Sequence, residues 1–369
     1  MSSFFHAQKH SIFFRFFPPP KILLMPHIGI DISDRSVRYF ELLEKRNTLA
    51  VGRHGSEKLP EGIVVGGEIV DREKLIELLV RLRKETKASG VRVSIPEEKS
   101  YLFTTEIPPL PHDEARGVIS FHLEEHVPIS VADTVFDFTY LQNNTEKTEA
   151  EGKKRVAVAV LPRGIAESYS SVFEEAGLSA LSFELKSTAT ARSLVHHGDG
   201  KSYMMVDIGA ERTIVSIAVA GEVEFSTTLE IGGDYITTAL QKKLSITPEE
   251  AEKAKREIGL SKESGNREVV SAILEPVSSL ADEINKYFIY WHTREERSNT
   301  DRKIQKIILC GGGSNLIGLV DHFMLTLKIP VELGNVWSDI FDTTEEVPPL
   351  SFEESMPYAT AIGLALRRE

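Results

Sequence analysis

Two short segments of the chain each place an aspartate after an apolar, strand-like run and before a turn, at residues 28–38 and 204–214. A tight turn at such a place directs successive backbone N–H groups at one anion. An aspartate at the strand end can hold Mg²⁺, which keeps several waters and takes one or two carboxylates. The segments therefore predict two phosphate loops, with Asp31 and Asp207 holding Mg²⁺ largely through water. Either segment alone also fits an ordinary hairpin turn.

Two further patterns could border a nucleoside. Residues 311–313 are all glycine and follow a hydrophobic run at 304–309. Glycines let a flat ring approach the backbone closely, and a helix start behind them favours anionic groups, although a plain strand-to-helix turn has the same pattern. Glu252 and Lys255 are spaced i,i+3 after a helix-start signal. Such a pair could hold a ribose and a base edge, or it could be a solvated surface pair.

The composition restricts the function classes. The chain has 369 residues, is 41% hydrophobic and 27% charged, and has a formal net charge of −12. It is long enough for two or more domains, and its charge argues against a nucleic-acid partner, which needs clustered basic residues. The single cysteine, Cys310, excludes an intrachain disulfide and fits a reducing cytoplasm. We expect no direct membrane span, because no apolar run is long enough for one.

The element pattern predicts two related halves with an insertion. The two aspartate segments are a weak internal repeat, each predicted as a strand and a returning strand. Prolines at 108–111 mark a boundary, and residues 108–177 read as a small helix-and-strand module. Residues 142–154 are polar and predict an exposed loop. The phenylalanine-rich residues 1–26 predict a disordered N-terminal extension.

The order of these motifs along the chain resembles that of actin-like ATPases. The module at 108–177 is similar to the subdomain that FtsA and the type IV pilus assembly protein PilM insert into their N-terminal domain. The detailed resemblance favours the PilM family over about residues 27–368, and it is carried by the segments 107–114, 124–128, 137–140, 172–178 and 357–367. It implies an α/β, actin-like (ribonuclease H-like) ATPase fold of two related halves with a small inserted α/β subdomain.

The resemblance also implies subdomain boundaries. It predicts subdomain 1A at 27–107 and 178–200, the inserted subdomain 1C at 108–177, subdomain 2A at 201–244 and 275–369, and a small subdomain 2B at 245–274.

The resemblance implies ATP and Mg²⁺ as cofactors and carries a nucleotide site onto matching positions. The implied site residues are Asp31, Ser33, Ser36, Arg38, Asp207, Gly209, Thr213, Gly232, Gly233, Glu252, Lys255, Gly311, Gly312 and Gly313. Ser33, Asp34 and Arg38 depart from the family pattern of glycine, a small hydroxyl residue and lysine, which predicts weakened nucleotide binding unless Mg²⁺ or Arg35 compensates the charge of Asp34. Glu184, between the two halves, is the candidate for a catalytic base, and we expect slow or partner-dependent hydrolysis.

A scaffold role in pilus or related secretion machinery is the function that the resemblance implies. The expected partner is the short N-terminal tail of the bitopic protein PilN, held between the N-terminal domain and its insertion at the cytoplasmic face of the inner membrane. Other pilus proteins and self-association are further expected contacts. One alternative is an FtsA-like division protein, although the chain ends directly after a predicted domain helix and not in an amphipathic targeting helix. A small-molecule kinase of the same fold is the other alternative.

Overall fold

The computed structural model of the protein describes residues 27–45, 48–142, 152–261, 265–293, 302–341 and 347–367. The predicted extension at 1–26 lies outside these residues, as does most of the predicted loop at 142–154.

The described residues form a mixed α/β structure. The strands are β1 (His27–Ile32), β2 (Ser36–Lys45), β3 (Thr48–Lys58), β4 (Val64–Val65), β5 (Glu68–Ile69), β6 (Gly90–Ile95), β7 (Tyr101–Ile107), β8 (Thr134–Tyr140), β9 (Lys154–Pro162), β10 (Ser179–Leu185), β11 (Ser202–Ile208), β12 (Thr213–Val219), β13 (Glu222–Leu229), β14 (Ile304–Cys310) and β15 (Val331–Leu333). The α-helices are α1 (Arg72–Thr86), α2 (His112–His126), α3 (Arg163–Glu175), α4 (Lys186–Leu194), α5 (Gly233–Leu244), α6 (Pro248–Glu257), α7 (Arg267–Thr293), α8 (Leu319–Leu327), α9 (Phe352–Ser355) and α10 (Ala359–Leu366).

The first half is built on a five-stranded sheet in the order β10-β6-β1-β2-β3. β1 pairs antiparallel with β2 and parallel with β6. On β1, Ile28 and Ile30 face a core that also contains apolar residues of α1 and α3. The opposite face receives α10 so closely that a Cβ on Gly29 would lie 2.2 Å from the carbonyl oxygen of Ala361. A glycine is therefore required at position 29.

The second half repeats this plan. Its five-stranded sheet has the order β13-β12-β11-β14-β15, and β11 pairs antiparallel with β12 and parallel with β14. The internal repeat is thus confirmed as two sheets whose central strands, β1 and β11, each begin a hairpin. Because strand β1 corresponds to β11, Asp31 and Asp207 occupy equivalent strand ends.

Helices α4 and α10 join the halves. Apolar residues of both helices share one buried cluster with Phe40 of the first sheet and Met205 of the second. The helices pack closely, because a Cβ on Gly363 would lie 1.8 Å from the carbonyl oxygen of Ala189. Cys310 is buried in the same cluster, where it packs as a small core residue.

The inserted unit is a three-stranded antiparallel sheet in the order β7-β9-β8, with α2 on one face. It is displaced relative to the expected 108–177. β7 belongs to it, since all seven residues of β7 pair with β9. α3 does not belong to its core, because Tyr169, Val172 and Phe173 are buried against the first sheet.

Helices α5, α6 and α7 cover the second sheet. Ala251, Leu260 and Val269, from the predicted small subdomain at 245–274, lie in the same core cluster as β11 and β12. Among the described residues, no helix is long and apolar enough to cross a membrane.

Candidate functional site

Asp31 and Asp207 approach each other at the ends of β1 and β11. Asp31 is buried and accepts a hydrogen bond of 2.7 Å from Ser94 Oγ. Burial, followed by the negative charge of Asp31, raises the pKa of Asp207 to about 6. The structure therefore brings together two carboxylates that are 176 positions apart in the chain (207 minus 31).

Lys186, which sequence reasoning missed, lies at this carboxylate pair. It is the first residue of α4, and its Nζ lies 3.0 Å from Asp31 Oδ1 and donates to the carbonyl oxygen of Ile32 at 2.6 Å. Burial disfavours the ammonium, but the charge of Asp31 outweighs it and raises the pKa of Lys186. No spacing signal marks this lysine in the sequence, because its partners come from another strand.

The first phosphate loop, residues 33–35, is braced by its own hydroxyls. Ser33 N donates to the carbonyl oxygen of Ser36 at 2.9 Å, and Ser36 N donates to Ser33 Oγ at 3.1 Å. These predicted phosphate donors are thus engaged within the loop. Arg38 is close enough to Asp31 and Asp207 to affect the pKa of each, yet its guanidinium has no ion-pair or hydrogen-bond partner among the residues that the structure describes.

The second phosphate loop, residues 209–212, is fixed by backbone contacts. Gly209 N donates to the carbonyl oxygen of Arg212 at 2.8 Å, and Gly233 N donates to that of Gly209 at 3.0 Å. A Cβ on Gly232 would lie 2.4 Å from the carbonyl oxygen of Ala210, so only glycine fits. Thr213, a predicted phosphate donor, is buried and donates its hydroxyl proton to the carbonyl oxygen of Ile231 at 2.6 Å.

The two loops hold each other through crossed ion pairs. Arg212 of the second loop lies 2.7 Å from Asp34 of the first, and Arg35 of the first lies 2.8 Å from Glu211 of the second. Arg35 also lies 3.2 Å from Asp234 at the start of α5. Arg212 is thus the cation that compensates Asp34, where the sequence suggested Arg35.

Two backbone amides also stabilise the negative charge of Asp34. Gly66 N donates to its carboxylate at 2.8 Å and Gly67 N at 3.1 Å. Burial opposes ionisation, but these amides and Arg212 lower the pKa of Asp34.

The glycines at 311–313 pack directly on Asp207 and Ile208. Gly311 has φ 78°, and a Cβ there would lie 2.2 Å from Asp207 Oδ1. Gly312 begins a 3₁₀ turn, and α8 starts only at Leu319. This turn, the two loops and the carboxylate pair are therefore contiguous.

Glu252 and Lys255 of α6 border the second loop. Lys255 Nζ lies 2.6 Å from Glu252 and donates to the carbonyl oxygen of Gly233 at 3.1 Å. The pair is not a solvated surface pair, since the Lys255 side chain is only 13% exposed. The nucleoside role of these residues stays a prediction.

Glu184 does not have the surroundings of a catalytic base. Its side chain is 6% exposed, and its oxygens lie 2.7 Å from Arg192 and 2.5 Å from Arg367. Because both oxygens are bound to guanidinium groups, the carboxylate is poorly placed to orient a water.

A second buried carboxylate that the sequence did not indicate connects the halves. Glu97 accepts hydrogen bonds from Ser187 N at 3.2 Å, from Ser187 Oγ at 2.6 Å and from Ser226 Oγ. Ser187 follows Lys186 in α4, whereas Ser226 lies on β13. Glu97 therefore links the carboxylate pair of the cleft to the second sheet.

A large groove lies beside the inserted sheet, with a volume of about 1540 Å³. Strands β8 and β10, which are edge strands of their sheets among the described strands, both border it. Ala157 and Ala159 of β9 and Phe183 of β10 supply apolar lining. Acidic side chains at Asp137, Asp199, Glu222 and Asp339 also line it. Such a groove has the shape for an extended peptide. On the outer edge of β8, Arg163 already donates to the carbonyl oxygen of Thr134 and Arg116 to that of Phe136.

The cleft offers few protein ligands for magnesium. Among the described residues, no group of three or more His, Cys, Asp or Glu side chains could hold a metal ion. At Asp31 the ammonium of Lys186 lies 3.0 Å from Oδ1, so a divalent ion on this carboxylate would lie close to a buried positive charge. The carboxylate pair as arranged is therefore a poor fit for Mg²⁺.

Comparison with solved structures defines the fold class as actin-like. The structure is similar to that of a PilM–PilN type IV pilus biogenesis complex, with a TM-score of 0.76 and 20% identity over 92% of this chain and 98% of that chain. It is also similar to MreB5 of Spiroplasma citri bound to ADP, with a TM-score of 0.55 and 16% identity over 92% of this chain and 94% of that one. The expected fold is confirmed.

The family follows from the sequence. The family model of the type IV pilus assembly protein PilM matches residues 29–369, and the chain belongs to that family. The chain is also 26% identical over 186 residues to the cell division protein FtsA of Streptococcus pneumoniae serotype 2, a match that covers 47% of this chain. That match spans only 41% of the FtsA protein.

Proposed function

We propose that this protein is a pilus-assembly scaffold that holds the short cytoplasmic tail of a PilN-type inner-membrane protein in the groove beside the inserted sheet. The observation that carries this proposal is the groove itself, bordered by the edge strands β8 and β10. Edge strands present unpaired backbone N–H and C=O groups. Because Arg163 and Arg116 already donate to two carbonyl oxygens of β8, an extended tail gains main-chain hydrogen bonds at the remaining edge groups of β8 and β10. The protein then stays at the cytoplasmic face of the membrane through its partner.

The lining predicts the chemistry of the tail. Ala157 and Ala159 leave room for apolar side chains, whose burial supplies most of the affinity. Glu184 is already neutralised by Arg192 and Arg367. The remaining acidic lining favours a tail with basic residues or a free amino terminus.

Fluorescence anisotropy with a labelled tail peptide tests this proposal. The full-length protein is titrated into the N-terminal peptide of its PilN-type partner and, as a control, into a scrambled peptide of the same composition. We expect saturable binding of the native peptide and at least about tenfold weaker binding of the scrambled one. Equal affinity for both peptides, or no binding by folded protein, contradicts the proposal.

We also propose that the cleft between the phosphate loops binds a nucleotide such as ATP. The contiguous arrangement of both loops, Gly311 and Lys255 supports this, as does Arg38, whose guanidinium has no ion-pair partner in the described part of the chain. Slow or partner-dependent hydrolysis is consistent with the ion-paired Glu184.

Isothermal titration with ATP tests the cleft. Gly311→Val places a branched side chain against Asp207, whereas Gly221→Val alters a turn where a Cβ would meet nothing within 4 Å but where φ is also positive. We expect the first variant to lose ATP binding and the second to keep it, with circular dichroism confirming that both fold. Retained ATP binding in Gly311→Val argues against the cleft as the nucleotide site.

A further inference from the structure

The position of Lys186 bears on how the cleft holds a ligand. Its Nζ lies 3.0 Å from Asp31 Oδ1 and 2.6 Å from the carbonyl oxygen of Ile32. Ser94 Oγ donates to the same oxygen of Asp31 at 2.7 Å. The oxygen therefore already accepts from two donors, one of them charged.

Two cations of the chain act on the carboxylate pair without a metal, while Glu97 adds negative charge near Asp207. Asp31 and Asp207 supply the negative charges, and Lys186 and Arg38 supply the positive charges that act on both carboxylates. A divalent ion bound to either oxygen of Asp31 would lie within a few ångströms of the buried Lys186 ammonium, because that ammonium is 3.0 Å from Oδ1. Like charges a few ångströms apart repel strongly where water is excluded, and the ammonium cannot diffuse away because it is tethered to α4.

We propose that Lys186 takes the place of a divalent cation at the Asp31–Asp207 pair, so that a phosphate-bearing ligand binds there without Mg²⁺. The first part of this inference, exclusion of the metal, is independent of ligand identity. The second part rests on the proposed nucleotide binding. Lys186 then has a positioning role, because it neutralises the carboxylates. It also presents positive charge to the phosphates, which form strong charge-assisted hydrogen bonds with cations.

Binding of Mn²⁺, followed by electron paramagnetic resonance on the full-length protein, tests the first part. Wild type and Lys186→Arg, which keeps the cation, are expected to show no saturable site at this position. Lys186→Met removes the cation, leaves two acidic side chains facing each other, and is expected to gain one Mn²⁺ site that is lost again in Lys186→Met combined with Asp31→Asn. Lys74→Met, which removes an exposed lysine paired with Asp71, is the matched control and gains no site.

Two results of that measurement overturn the inference. One is a Mn²⁺ site in wild type that Asp31→Asn or Asp207→Asn abolishes. The other is a folded Lys186→Met protein, verified by its thermal melting, that gains no site.

ATP titration in Mg²⁺ and in EDTA tests the second part. For wild type we expect dissociation constants within about threefold of each other. For Lys186→Met we expect at least about tenfold weaker binding in EDTA, partly restored by Mg²⁺. Wild-type affinity that is tenfold or more higher in Mg²⁺ overturns metal-free binding while nucleotide binding stands. Absence of ATP binding in wild type under both conditions overturns nucleotide binding and the second part together, and the Mn²⁺ result still decides the first.

Discussion

In the cleft, charged side chains of the two phosphate loops contact each other. The groove, by contrast, is lined by the edge strands β8 and β10 and by Ala157 and Ala159. Arg212 reaches Asp34 and Arg35 reaches Glu211 across the cleft. The groove keeps about 1540 Å³ of free volume. A ligand of the cleft must therefore displace or join existing ion pairs, while a ligand of the groove displaces mainly water. We expect groove binding to need little rearrangement and cleft binding to alter the contact between the halves.

The two regions are connected by a buried ion cluster. Arg155 of β9, in the inserted sheet, lies 2.6 Å from Glu224 of β13, and Arg302 also pairs with Glu224. On the same strand, Ser226 donates to Glu97 near the cleft. Strand β13 therefore contacts the unit that borders the groove and the carboxylate that borders the cleft.

The largest expected effect comes from breaking this connection. Glu224→Gln leaves two buried guanidinium groups without their carboxylate and should lower the free energy of unfolding by about 3–5 kcal/mol. Urea denaturation at neutral pH measures this loss. Glu222→Gln, on the same strand but partly exposed, is the control and should lose about 1 kcal/mol or less.

The same variant gives a pH test with a defined sign. Burial opposes ionisation of Glu224, but Arg155 and Arg302 outweigh it and lower its pKa below the ordinary 4.5. The stabilisation is therefore complete above pH 4.5 and is lost as the pH falls through the lowered pKa. The difference between wild type and Glu224→Gln should shrink in acid, and a constant difference from pH 7 to pH 3 would contradict the ion-pair explanation.

The next largest effect is expected from a charge placed in the groove, which should weaken peptide binding without changing ATP binding. Ala159→Arg fills apolar lining with a long cation and should weaken tail-peptide binding by about a hundredfold, with ATP binding unchanged. Ser170→Arg, at an exposed position of α3, is the control for the added charge. Anisotropy and calorimetry measure the two affinities, and parallel loss of both in Ala159→Arg would show that the variant acts through the fold.

A smaller effect is expected from the first phosphate loop. Asp34→Asn removes a negative charge beside the proposed phosphate position and keeps an acceptor for only one of the Gly66 and Gly67 amides, which donate to different oxygens of Asp34. It also removes one ion pair of Arg212, which keeps those with Glu98, Glu211 and Glu230. ATP affinity should rise by about tenfold and peptide affinity should stay the same; weaker ATP binding would indicate that the crossed ion pairs are needed to shape the cleft.

The smallest effect concerns Thr213. Thr213→Val removes the hydrogen bond to the carbonyl oxygen of Ile231 and should cost about 1 kcal/mol of stability. Its ATP affinity should remain within about twofold of wild type. A large loss of ATP affinity in calorimetry would instead assign the hydroxyl to the ligand, as the sequence pattern predicted.

Local patterns predicted the strands that begin each half and the residues that end them. The strands that end near Asp31, Asp207 and Gly311 can be predicted from local sequence alone, because the apolar run and the turn residue lie within a few positions of each other. The long helix α7 and the strands β3 and β10 were not predicted. β3 contains Gly52, Arg53 and Gly55, which interrupt alternation, and its strand state depends on pairing with β2.

The predicted site divides in the same way. The glycines were identified correctly as positions of close approach, since Gly232 and Gly311 each contact backbone or carboxylate atoms that a Cβ would overlap. The resemblance implied Ser33, Ser36 and Thr213 as site residues. In the structure the hydroxyls of Ser33 and Thr213 donate to backbone carbonyl oxygens, and the hydroxyl of Ser36 bonds to that of Ser33. The type of a side chain defines which hydrogen bonds it can form, but the fold decides which partner lies close enough to form them.

By itself, the sequence determined the two-halved plan, the paired aspartates and the presence of an insertion, because apolar period, turn residues and motif order are local properties that survive without coordinates. Only the tertiary structure decided that Lys186 meets Asp31, that Arg212 compensates Asp34, that β7 joins the inserted sheet while α3 leaves it, and that two strand edges border one groove. Each of these depends on residues far apart in the chain, whose proximity follows from how the sheets and helices bury their apolar faces.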